Sequence, residues 1–148
     1  MDLSTALAIT LPIFIYIAFK LYLNKLERQK SSKLYNEYKD EKIKEFDSKA
    51  NFMGRKSAGY KQIRGNGVLL LTEEEIVFER WFPEKRIVIP INSVQNTEIV
   101  NSFLGKSKSK SILKIDFRDK EGNSDSCGWI VEDYEDWIAN IKSFQANC

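Results

Sequence analysis

The chain has 148 residues, 43% hydrophobic, 30% charged and 12% aromatic, with seven Gly, three Pro and two Cys. That leaves room for one modest domain with an attachment, and it excludes collagen-like, low-complexity and disulfide-framework proteins. The net charge of +2 conceals three unlike segments: residues 1–19 carry only Asp2, Lys20 to Arg64 hold 13 basic against 6 acidic residues, and Gly65 onward hold 10 against 14.

The first predicted element is apolar. Leu3 to Phe19 carries no charge and as a helix spans about 26 Å, which Lys20-Leu21-Tyr22-Leu23 extends to the ~30 Å of a hydrocarbon layer. Lys20 and Tyr22 suit the interface, and Pro12 is tolerated within a span. The basic block that follows keeps its flank on the cytoplasmic side. The expectation is a single-pass anchor in a plasma or inner membrane, with the amino terminus outside and the remainder cytoplasmic. A cleaved signal peptide calls for positive charge before the apolar core and small residues after it, whereas this chain has Asp2 before and Asn24-Lys25-Leu26-Glu27 after. A soluble core helix calls for a polar face, which the run lacks. Two Cys and no Asn-x-Ser/Thr sequon after the span suit a reducing compartment.

From Asn24 to about Lys49 the composition is Lys, Glu, Gln, Asp and Ser without Pro or Gly, which predicts a charged helical stalk with a weak apolar stripe at Leu34, Tyr35, Tyr38, Ile43 and Phe46. The stalk either adheres to anionic headgroups or is a solvated spacer. Ala50 to Arg64, with Gly54 and Gly59, breaks the helix and leads into the domain, with a first strand expected around Tyr60 to Arg64. The organisation is thus 1–23 anchor, 24–49 stalk and 50–148 domain.

Beyond Gly65 short β-branched runs alternate with turn signals. Val68 to Leu71 and Ile76 to Phe82 are strands, Pro83-Glu84-Lys85 a turn, and Ile87, Ile89 and Ile91 the buried face of a third run whose Pro90 marks an edge or strand end. Val94 to Phe103 is a more polar strand. In Ile112 to Arg118, Leu113, Ile115 and Phe117 share one face. Gly122 closes a hairpin loop, after which Cys127, Trp129 and Val131 point inward and Ser126, Gly128 and Ile130 outward. The period then changes to 3.6, placing Tyr134, Trp137, Ile138, Ile141 and Phe144 on one helix face with Asp133 as N-cap.

Gly67-Val68-Leu69-Leu70-Leu71-Thr72, Ile76-Val77-Phe78, Arg86-Ile87-Val88-Ile89-Pro90-Ile91 and Val94 resemble the opening strands of GRAM and bacterial pleckstrin-homology-like (PH-like) domains. Leu113-Lys114-Ile115 and the helix containing Trp137 continue the likeness, which covers roughly Tyr60 to Phe144. The resemblance implies a mainly β fold: a bent antiparallel barrel of about seven strands capped by a carboxy-terminal helix, used to dock lipid headgroups, phosphopeptides or proteins and not as an enzyme. Phosphoinositide-binding members carry a basic cluster in the first hairpin. Here that hairpin is expected at Arg64-Gly65-Asn66-Gly67, with only Lys61 and Arg64 beside it.

Catalytic and metal chemistry find little support. The chain has no His, so no Ser-His, Cys-His or His-metal arrangement exists within it. Cys127 reads as a small inward residue, and Gly105-Lys106-Ser107 lacks the first glycine of a phosphate-binding loop because Val occupies position 100. The acidic runs Glu73 to Glu75 and Glu132 to Asp136 read as turn and cap residues. No cofactor or metal is expected. The candidate binding residues are Lys106, Lys108 and Lys110, alternating with serines in a loop between two strands. Their ammonium groups suit headgroup phosphates, although a plain solvated loop has the same composition. The functional expectation is a membrane-anchored binding module for a protein partner or anionic lipid headgroups. The other class is a structural or assembly subunit acting through its span, although no Gly-x-x-x-Gly motif is present. Nucleic acid is an unsuitable partner for a domain that is acidic overall.

Overall fold

The computed structural model describes residues 3–147; Asp2 and Cys148 lie outside the described residues. It comprises α1 (Leu3–Glu37), β1 (Glu45–Arg55), β2 (Gly65–Leu71), β3 (Glu75–Arg80), β4 (Lys85–Pro90), β5 (Val94–Phe103), β6 (Lys106–Arg118), β7 (Ser124–Ile130) and α2 (Tyr134–Ala146). Short 3-10 turns follow β1 at Lys56–Ala58 and β4 at Ile91–Ser93.

All strand pairs are antiparallel, in the order β4-β3-β2-β1-β7-β6-β5. The two edge strands are consecutive in the chain and joined only by Ile91–Ser93. A seven-stranded sheet whose edges are tied this closely has to curl on itself. The inner face of the curl is the main core, formed by Phe52, Leu69, Phe78, Ile89, Leu113 and Trp129 among others. Phe52, Phe78 and Trp129 pack ring against ring there, with centroids 5.2–5.9 Å apart. Gly67 permits this packing, because a Cβ on it would lie 2.5 Å from the Phe78 ring.

α2 closes the remaining opening, burying Trp137 and Ile141 and laying Ile138 and Phe144 against the core. Asn140 Nδ2 donates to Glu45 Oε1 on β1 (2.6 Å) and Gln145 Nε2 to the Val94 carbonyl at the start of β5 (2.7 Å), so the helix bridges distant strands. Asp133 stands at the N-cap position, but in the left-handed region (φ 51°) and without a side-chain cap bond; its carbonyl accepts the Asp136 amide instead. The result is the expected PH-like architecture: a seven-stranded bent antiparallel sheet with a carboxy-terminal helical cap.

Three expectations change. No strand forms at Tyr60–Arg64, which belongs to the β1–β2 loop, and Gly65-Asn66-Gly67 opens β2 and is not a hairpin tip. The first strand is Glu45–Arg55, taken from the segment read as stalk and domain entrance. Its residues are polar at one end and irregular at Asp47/Ala50, where the register with β2 shifts, so no clean alternation marks it.

The remainder of the stalk packs one face on the domain, while Lys39 to Lys42 stay exposed. α1 continues without interruption to Glu37, and its last three turns lie on the outer face of β2 and β3, where Leu34 and Tyr38 are buried with Val68, Leu70, Val77 and Trp81. Only the amino-terminal part stands free. Leu11, Phe14, Ile15, Phe19 and Leu21 are more than half exposed, and this is a helix long and apolar enough to cross a membrane.

Candidate functional site

An irregularity in β6 gathers the candidate lysines. Val100 pairs with Ile112 and Ser102 with Ser107, so Lys108 to Ser111 of β6 stand against Asn101 alone on β5. Such an excess bends the strand. The β5–β6 hairpin consequently folds back over the outer face of β1 and β7, burying Met53, Phe103 and Ile112 beneath Val100, Leu104 and Ile130. Glycines admit it: a Cβ on Gly128 would lie 2.9 Å from Phe103 Cδ1, and one on Gly54 (φ 132°) 3.0 Å from Leu104 Cδ1. The expected loop at Gly105 to Ser111 is therefore a corrected reading: only Leu104-Gly105 turns, and Lys106 onward is strand.

In this arrangement Lys108 Nζ donates to Asn51 Oδ1 on β1 at 2.9 Å. Lys108 and Lys110 line an open groove of about 400 Å³ together with Lys49, Asn51 and Ser109. Lys106 pairs with Phe103 at the hairpin tip and is outside the lining. Asp47 and Glu132 also border the groove. The Asp47 carboxylate is occupied by two backbone amides, those of Lys49 (2.8 Å) and Glu132 (2.9 Å). Three lysines and a serine around an open groove form a donor set suited to a phosphate oxygen cluster, while the Asn51 amide is engaged by Asn66 and Lys108. Lys49 and Asn51 escape sequence reasoning because they sit nearly sixty positions before Lys108, and only the folded hairpin brings them together.

The groove stands beside α1: Lys49 Nζ is 3.7 Å from Glu27 Oε2, and Ser48 Oγ donates to Glu27 Oε1 at 2.8 Å. The position of α1 is set by Glu79, fully buried on the outer face of β3. Its carboxylate receives Lys30 (3.2 Å), Lys33 (3.6 Å) and Arg86 (2.5 Å). A carboxylate buried this completely requires such partners. Arg86 also forks onto both oxygens of Glu37 (2.5 and 2.8 Å). The hydrogen bond from Arg86 holds the Glu37 carboxyl below its usual range, and the bonds Arg86 donates to Glu37 and Glu79 raise its guanidinium against the opposing effect of burial. Burial works against the Lys30 charge as well, but hydrogen bonds to Glu84 and Glu79 outweigh it and raise its pKa.

On the far side of the sheet Asp125, 3% exposed, accepts from Ser57 N and Oγ (2.9 and 2.6 Å) and pairs with Arg55. Burial alone pushes this carboxyl up, yet the hydrogen bonds from Ser57 and Arg55 bring it below its ordinary value. Cys127 lies in the core, with its thiol pushed up by burial. Among the described residues, no group of three or more His, Cys, Asp or Glu has the arrangement to hold a metal ion.

No family model matches the chain, and no curated protein matches it. Solved structures do. The crystal structure of the C-terminal domain of an unknown protein from Leishmania infantum is 11% identical, with a TM-score of 0.48 over 76% of this chain and 92% of that one. Human RhoA in complex with the DH/PH fragment of PDZRHOGEF is 17% identical, with a TM-score of 0.48 over 78% of this chain and 33% of that one. At these values neither likeness supports a functional argument, and the fold assignment rests on strand order, curl and helical cap.

Proposed function

We propose that this protein is a single-pass membrane protein of the bacterial PH-like or GRAM type, whose cytoplasmic domain is a non-enzymatic docking module for the phosphates of anionic lipid headgroups. The observation that carries the reading is the continuity of α1. One helix has an apolar half exposed on all sides and a second half packed on the sheet. A helix that is apolar all round finds a stable setting in lipid, and the docked half then keeps the domain within a few turns of the headgroups. The groove of Lys49, Lys108 and Lys110 lies against α1 at Glu27, four positions after Leu23. The basic flank from Lys20 onward favours the cytoplasmic orientation.

A photoreactive amino acid at Ser109, on the groove wall, tests this in the full chain in native membranes. Adducts with phospholipid that disappear when Lys49, Lys108 and Lys110 are changed to Ser support the headgroup reading. Adducts with protein alone refute it and favour the second reading, an assembly subunit in a membrane complex. Protease digestion of the domain from outside intact cells would overturn the orientation.

A further inference from the structure

The lysine groove does not end at Lys49. It continues along β1 into a second hollow of about 310 Å³, and Asp47, Lys49 and Glu132 line both. The charge reverses on the way. Lys108 and Lys110 border one end, whereas Glu27, Glu45 and Asp133 border the other, where Lys49 is the single cation. Glu27 is engaged by Ser48 and Lys49, and Asp47 by two backbone amides. Among the described residues, the exposed carboxylates of Glu132 and Asp133 have no hydrogen-bond or ion-pair partner. Glu45 accepts only from the Asn140 amide, and burial, joined by Asp136 and Asp133, pushes its carboxyl up in spite of that bond. Carboxylates gathered in this way favour an added positive charge.

α1 gives this reversal a direction. Glu27 meets Ser48 and Lys49, while Tyr35 packs edge-on against Phe46 with ring centroids 5.9 Å apart. Tyr35 lies about 12 Å farther along the helix than Glu27, so the Glu45 end of the groove stands farther from the apolar half of α1 than Lys49 does. Lys108 bonds to Asn51, on the opposite side of Lys49 from Glu45. Glu27 itself is about 6 Å beyond Leu23, within the polar layer of roughly 5–8 Å that covers the hydrocarbon of one leaflet. Read outward from lipid, the groove therefore presents cations first and carboxylates second. We propose that it selects phosphatidylethanolamine, with the phosphate on Lys49, Lys108 and Lys110 and the primary ammonium beyond it on Glu45, Glu132 and Asp133. The inference rests on the headgroup reading and narrows it to a phosphate followed, two carbons farther from the acyl chains, by an ammonium. That ammonium offers three N–H donors to the three carboxylates. Phosphatidylcholine brings the same charge without an N–H. Phosphatidylglycerol brings no cation, and phosphatidylserine sets its own carboxylate against the acids.

The test uses the full chain with a photoreactive amino acid at Ser109, reconstituted into vesicles of phosphatidylcholine, phosphatidylethanolamine, phosphatidylglycerol and phosphatidylserine in equal amounts. Adducts are identified by mass spectrometry and normalised to those formed from Phe14, which reports the lipid around the apolar helix. Phosphatidylethanolamine adducts should exceed those of each other lipid at least about threefold, as expected of partly exposed ion pairs. Glu132→Lys with Asp133→Asn, both exposed positions, should abolish the preference or turn it towards phosphatidylglycerol while lipid adducts persist. Phosphatidylglycerol or phosphatidylserine equal to or above phosphatidylethanolamine in the wild type overturns the selectivity and leaves the headgroup reading standing. Phosphatidylcholine equal to phosphatidylethanolamine overturns it as well, because charge without N–H donors would then suffice. A preference that survives in the double variant refutes the role of the acids. Absence of any lipid adduct from Ser109, with adducts still formed from Phe14, refutes the headgroup reading, and the selectivity falls with it.

Discussion

Replacing Leu34 by alanine removes a side chain with no solvent exposure from the layer between α1 and the sheet. Burial of a leucine contributes roughly 1.5–3 kcal/mol, and the cavity left behind brings Leu→Ala losses to about 2–5 kcal/mol. The low end applies where neighbours collapse into the gap. Here the layer is thin, six buried residues, but the ion pairs of Lys30, Lys33 and Glu37 with Glu79, Glu84 and Arg86 hold the helix at a fixed height above β3. That limits collapse and places the expected loss near 3 kcal/mol. Urea unfolding of the full chain in mild detergent, followed by far-ultraviolet circular dichroism, measures it, with Lys39→Ala on the exposed linker as control. Amide exchange in Ser31 to Glu37 should accelerate in the variant. A loss under about 1 kcal/mol, or one equal to the control, would mean that the second half of α1 is a solvated stalk after all, and the fixed exit direction of its apolar half would go with it.

Three further outcomes follow from the same geometry. Glu79→Ala leaves Lys30 and Arg86 with only their second carboxylates and should cost about 1–3 kcal/mol in the same assay; the partners' partial exposure keeps it below the loss for a fully buried pair. Gly128→Ala forces Phe103 outward, costing about 1–3 kcal/mol as overpacking and shifting the amide resonances of Lys108 and Lys110, while an unchanged spectrum would show that the hairpin does not lie on β7. The Asp125 carboxyl sits below its unfolded value of about 3.9. Its contribution is complete above that pH and is lost as the pH falls through it towards the folded value. Urea midpoints between pH 6 and pH 3 should therefore fall more steeply in the wild type than in Asp125→Asn.

Much of the sheet was legible along the chain because period-two alternation survives wherever one face is buried. Leu113, Ile115 and Phe117 point into the core as read, as do Cys127 and Trp129. The same reading treated Gly128 and Ile130 merely as outward-facing, yet the folded hairpin covers them. A bulge caused that failure: once four residues oppose one, parity says nothing about what lies above the strand. β1 was missed for a related reason, since its polar first half packs under α1 and its register slips at Asp47/Ala50. Of the residues that line the groove, Lys108 and Lys110 were singled out by their spacing. Lys49 and Asn51 were invisible, and Lys106 proved to stand outside the groove.

Local patterns, then, were enough for the apolar helix, the core strands other than β1 and the amphipathic cap. Each is decided by which residues within a dozen positions need to leave water, a property written in order along the chain. Tertiary structure alone decided where the helix docks, which way it leaves, and which lysines share a groove. Those outcomes depend on a buried glutamate meeting three cations from α1 and β4, and on two glycines yielding space to a bent hairpin. Partners so distant in sequence become neighbours only when the whole sheet has closed.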